Sequence, residues 1–144
     1  MYQIILMPLA AAFVSQLSKF FIASNNLRPS LRNIVAYSGM PSGHSAMVIS
    51  LVTIIGLIEG IDTPFFAIAF VLAVLVIRDA VGLRRYLGEH GRIINGLVKE
   101  LGSEHLLDKE YPRLLEKIGH TPAQVMVGSL IGFFVSLIGF FVLN

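Results

Sequence analysis

The sequence predicts an all-α integral membrane helical bundle: about four transmembrane helices plus short re-entrant or interfacial helices, in one domain over residues 1–144. Three observations carry this reading. The chain is 55% hydrophobic and only 14% charged, whereas a water-soluble domain carries about 25% charged residues. Its charges leave long gaps, because Met1–Ser18, Asn33–Ile58, Thr63–Ile77 and Val125–Leu143 contain no Lys, Arg, Asp or Glu. Its basic residues are also sorted: ten of the eleven fall in just two of the connections.

The first span is expected over about 2–23. Lys19 follows the apolar run and no basic region precedes it, so this is a retained span and not a signal peptide. Asn25-Asn26 and Arg28-Pro29 break the helix, and Ile34–Tyr37 with Gly39, Pro41 and Gly43 suggests a short re-entrant piece. The second and third spans are expected over about 44–59 and 63–86. Residues 87–118 form a polar insert in which Leu87, Ile93, Ile94, Leu97, Val98 and Leu101 follow helical spacing. Its first part, 87–101, suits a helix lying on the membrane surface. A second short helix is expected over 110–118, from Pro112 to Gly119. The last span covers 121–143, and the 19 uncharged residues Val125–Leu143 suffice for one crossing of the hydrocarbon core.

Four spans bring the two basic connections to one side. Lys19, Arg28 and Arg32 lie in the first; Arg84, Arg85, Arg92, Lys99, Lys109, Arg113 and Lys117 lie in the second. The opposite side receives Glu59 and Asp62. The positive-inside rule makes the basic face cytoplasmic, with both termini outside and the protein in the cell (inner) membrane.

Several classes are excluded. With no Cys there is no disulfide scaffold, thiolate nucleophile or Cys-ligated metal. A net charge of +2 does not suggest a nucleic-acid binder. His90 and His105 sit among acids in the insert, and their separation is not that of a helical metal pair.

Chemistry concentrates at Pro41-Ser42-Gly43-His44, which opens an apolar helix. Ser42, Gly43 and the free N–H groups of a helix start form an anion-receptive terminus. His44 stands there as a proton donor for a leaving oxygen. Lys19 and Arg28 offer two cations near the same surface, and His120 is a second histidine at the start of the last span.

This arrangement resembles the type 2 phosphatidic acid phosphatase superfamily, which also includes bacterial acid phosphatases and vanadium haloperoxidases. That pattern is Lys-x6-Arg-Pro, then Pro-Ser-Gly-His, then Ser-Arg-x5-His-x3-Asp. The middle motif matches in full. The first here is Lys19-x8-Arg28-Pro29; in the third, Pro112 replaces Ser, six residues separate Arg113 from His120, and Gln124 takes the Asp place. These departures resemble a divergent branch of small membrane proteins, with signatures at Met40–Ala46, Arg78–Arg85 and Leu115–Pro122.

The resemblance implies a phosphatase that needs no metal or other cofactor. His120 would attack phosphorus to give a phosphohistidine, and His44 would protonate the leaving group. Lys19, Arg28, Arg113 and the backbone at Ser42 and Gly43 would bind phosphoryl oxygens, with Arg84 and Arg85 as supporting cations. A nucleophilic His needs an acceptor on its other nitrogen; Gln124, Glu116 and Asp79 are the candidates. Asp79 reads equally as that carboxylate or as an ion-pair partner of Arg78, Arg84 or Arg85. The implied partners are the lipid bilayer and a lipid phosphate substrate. Gly128, Gly132 and Ser136 form a small-residue face, for packing within the protomer or for a homodimer. Two functions therefore stand: a lipid phosphate phosphatase, or a non-catalytic descendant that binds anionic headgroups or a membrane partner.

Overall fold

A computed structural model describes residues 2–22, 39–100 and 113–143. Five α-helices account for most of it: α1 (Gln3–Ser18, continued by a 3-10 turn at Lys19–Phe21), α2 (Gly43–Ile58), α3 (Pro64–Val81), α4 (Leu83–Glu100) and α5 (Pro122–Leu143). The described residues contain no strand. Among the described residues, three stretches are long and apolar enough to cross a membrane: Gln3–Phe21, Pro64–Glu100 and Pro122–Leu143. The fourth apolar helix, α2, has 16 residues. Large apolar side chains such as Ile5, Phe13, Ile68, Leu75, Ile138 and Phe141 face outward, as expected where lipid is the solvent.

The helices start where the sequence supplies caps. Ser42 caps α2 by accepting from the Ser45 N–H at 3.4 Å, and Thr63 caps α3 by accepting from the Phe66 N–H at 3.3 Å. Pro64 opens α3, where its missing N–H is harmless. At the end of α5 nearest the site, Thr121 Oγ1 accepts from the Gln124 N–H at 3.3 Å, and Gln124 Oε1 accepts from the Thr121 N–H at 3.0 Å. This reciprocal pair is a capping box.

Helix α2 is the centre, packed by α1, α3 and α5. It runs parallel to α5, and the contact is a double stripe of small residues. A Cβ on Gly128 would collide with the Ser42 carbonyl oxygen and Ser45 Oγ; one on Gly132 would collide with the Ala46 carbonyl oxygen. One step further, Ser50 Oγ and Ser136 Oγ lie 2.6 Å apart, and Ser136 also donates to the Ser50 carbonyl at 2.9 Å. Close backbone approach and buried hydroxyl pairs are how helices associate without a hydrophobic drive. The Gly128/Gly132/Ser136 face thus packs against α2 within the protomer.

Two further expectations are corrected. The third span does not run on to residue 86, because the chain breaks at Gly82, whose N–H still reaches the Arg78 carbonyl at 2.9 Å. The described part of the expected 110–118 helix, 113–118, is not helical. It lies extended along α4, where Cβ atoms at Gly88 and Gly91 would meet the Glu116 and Leu115 carbonyls at 2.7 and 2.8 Å. Asn95 ties it down by donating to the Leu114 carbonyl at 2.9 Å and accepting from the Leu114 N–H at 3.2 Å. One side-chain amide thereby satisfies backbone groups that a helix would have paired internally. The re-entrant piece at 34–37 lies outside the described residues.

Candidate functional site

The C-terminal end of α1, the start of α2, the end of α3 and the start of α5 meet at one end of the bundle. Two backbone bonds fix the junction. The Ser42 N–H donates to the Gln124 carbonyl at 3.0 Å, and the His120 N–H donates to the Ala80 carbonyl at 3.0 Å. The second bond caps an end-of-helix carbonyl in α3 that would otherwise lack a partner. Gly119 makes it attainable: its φ is +83°, and a Cβ there would meet the Arg85 nitrogen at 2.6 Å. Only glycine lets the chain pass so close over the start of α4 in that conformation.

His120 is 4% exposed, and both its ring nitrogens are buried without a hydrogen-bond partner. Burial, with the nearby positive charges of Lys19, His44 and Arg84, pushes its pKa down to about 4. Its imidazole is therefore neutral near pH 7, with a lone pair available for attack. Lys19 is buried, at 2% exposure, at the end of α1. Ser42, Gly43 and His44 form the first turn of α2 and its cap.

The sign of the His120 shift yields a stability prediction. The unfolded chain takes up a proton below the ordinary pKa of 6.5 while the folded chain does not, so stability falls as pH drops from 6.5 toward 4. The full loss is on the order of 3 kcal/mol. Thermal unfolding in detergent should show it between about pH 7 and about pH 4.5, and His120→Ala should flatten that slope.

The structure separates the remaining expected residues. Asp79 Oδ2 accepts from Arg84 Nε at 2.5 Å, so its carboxylate serves the arginine; it does not reach the His120 ring. Gln124 is spent on the capping box. Glu116 accepts from Asn95 Nδ2 at 2.8 Å, away from the histidine. Arg85 pairs outward with Glu89 at 3.4 Å. Arg113 is exposed and adjoins Leu114 at Asn95, ten residues of α4 beyond Arg85, or about 15 Å along the helix. Among the described basic residues of the second connection, Arg84 is the one whose charge acts on His120. Arg28 lies outside the described residues.

Sequence reasoning passed over two residues of α1. Ser15 Oγ and Gln16 Oε1 are buried without partners, and the Gln16 carboxamide lies against Gly43. The signal was present: Ser15, Gln16, Ser18 and Lys19 make a polar end on an apolar helix, which inside a membrane marks a site. Toward the bundle middle, Ile4, Pro8, Leu9, Met47, Leu51 and Leu72 line an apolar groove of about 210 Å³. Met47 begins it one turn after His44. Among the described residues no group of His, Asp and Glu is placed to hold a metal.

A family described as the "Divergent PAP2 family" matches residues 2–135. The chain is similar to "Uncharacterized membrane protein YuiD" of Bacillus subtilis (strain 168), at 36% identity over 146 residues, covering 93% of this chain and 91% of that protein. No solved structure matches.

Proposed function

This chain belongs to the divergent PAP2 family, and from that premise we propose that it is a membrane-embedded lipid phosphate phosphatase. It hydrolyses a phosphate monoester or diphosphate headgroup through a phosphohistidine, at the cytoplasmic side of the cell membrane. The observation that carries this reading is the neutral, unpartnered ring of His120, buried within the field of Lys19, His44 and Arg84.

In the first step a His120 ring nitrogen attacks phosphorus, and the bond to the leaving oxygen breaks. His44, at the start of α2, gives that oxygen a proton. Lys19 and Arg84 hold negative charge on the equatorial oxygens, where most of the catalytic stabilisation of phosphoryl transfer lies. Asp79 engages Arg84 through Nε, one of five guanidinium donors, and so aims the cation without consuming it. The lipid character of the substrate is supported by the apolar groove, which starts one turn from His44 and suits a hydrocarbon chain. The cytoplasmic orientation rests on the ten basic residues that the sequence gathers in the two connections assigned to this side.

One observation favours a second reading. Among the described residues no acceptor orients the His120 ring, since Asp79 and Gln124 are engaged elsewhere. A site with that gap can bind an anionic headgroup without turning it over.

One experiment decides between them. Purified protein in nanodiscs is given phosphatidate, phosphatidylglycerol phosphate, a polyprenyl diphosphate and p-nitrophenyl phosphate, without divalent metal and with chelator. Phosphate release from at least one lipid, retained in chelator, is expected. Headgroup binding with no release from any substrate establishes the second reading; release that strictly needs a divalent ion overturns the scheme.

A further inference from the structure

Gln16 lies in the last turn of α1, three residues before Lys19, and its carboxamide lies against the first turn of α2. A Cβ on Gly43 would stand 3.6 Å from Gln16 Cδ and 3.8 Å from Nε2. Its Oε1 is buried and accepts no hydrogen bond. A buried amide oxygen without a donor is costly; the carboxamide that carries it lies beside the residue preceding His44, so it calls for a ligand that brings a hydrogen. Lys19 and Arg84 have only donors, and Ser42 Oγ already accepts from the Ser45 N–H.

We propose that Gln16 is a positioning residue for the water that releases phosphate from His120. The inference rests on the phosphohistidine reading above and adds the second half of the cycle. After the alcohol leaves, water takes the place of its oxygen, beside His44. The water oxygen forms the new bond to phosphorus as the nitrogen–phosphorus bond breaks, and that bond's electron pair returns to the His120 ring. One water proton passes to His44, which gave up its own proton in the first step. The other hydrogen stays on the product phosphate and needs an acceptor during attack. Gln16 Oε1 is that acceptor: it takes no proton, and it turns the water's lone pair toward phosphorus.

Methanol distinguishes this role from a structural one, because its single O–H is used by His44 and it makes no demand on Gln16. Radiolabelled phosphatidate in nanodiscs, with methanol added, partitions between inorganic phosphate and methyl phosphate. In Gln16→Met the ratio of methyl to inorganic phosphate should rise about tenfold, with trapped label on His120 undiminished. Gln16→Glu, which keeps an acceptor oxygen, should restore the wild-type ratio. The ratio is internal to each preparation, so a poorly folding variant still reports through its active fraction. A Gln16→Met variant that slows both products equally overturns the inference and leaves the phosphatase reading intact. Wild-type protein that releases no phosphate and traps none overturns both.

Discussion

Replacing His120 by Ala should abolish phosphate release and the trapping of labelled phosphate together, a fall of at least about a thousandfold. The backbone of the site should survive, because the bond from residue 120 to the Ala80 carbonyl uses the main-chain N–H. His44→Ala should behave differently. It removes a proton donor, which slows departure of an alkyl alcohol by about 10²–10⁴-fold. With p-nitrophenyl phosphate the leaving group departs without protonation, so His44→Ala should still accumulate labelled protein. Rapid-quench trapping with both substrates checks the pair. Labelled protein in His120→Ala would show that another residue is the nucleophile.

The second large effect concerns the α2–α5 seam. Gly132→Ala should destabilise the bundle by about 3 kcal/mol, because the new methyl group meets the Ala46 carbonyl, backbone that cannot step aside. Gly128→Ala pushes on Ser42 and Ser45, so it should lower phosphatase activity as well as stability. Gly139→Ala is the control. The atoms nearest its Cβ all belong to the Met7 side chain, which is flexible and can move, and the loss should stay below about 1 kcal/mol. Unfolding in a graded denaturing detergent should place the variants in that order. Equal effects at 132 and 139 would mean that the seam is looser than the structure has it.

How much of this was legible depended on distance along the chain. The apolar helices follow from neighbouring residues, and the structure starts α2 and α3 within a residue of where the sequence put them; their caps at Ser42 and Thr63 are equally local. Thr121-Pro-Ala-Gln124 also reads locally as a capping box, yet comparison with the superfamily pattern drew Gln124 toward His120. The extended path of 113–118 could not be read locally. Its backbone is satisfied by Asn95, 19 residues from Leu114, against the notch of Gly88 and Gly91. The choice Asp79 makes between arginine and histidine was likewise hidden, since the break at Gly82 carries Arg84 back over it. The seam was half legible: Gly128, Gly132 and Ser136 stood out, while the matching Ser42, Ala46 and Ser50 on α2 appear only once the helices are paired.

The length of α2 has a mechanical consequence. Sixteen residues rise about 24 Å, and a hydrocarbon core is about 30 Å thick. A helix that short cannot bring both ends to the headgroups, and α1, α3 and α5 wrap it so that it cannot lengthen its path by standing apart. The shortfall of about 6 Å falls to the bilayer, which must dimple at one end or both. A dimple over the first turn of α2 would bring lipid headgroups closer to His44 and His120. On the proposed phosphatase reading, the substrate would then arrive by lateral diffusion within its own leaflet, and membrane thickness would set how readily it does so.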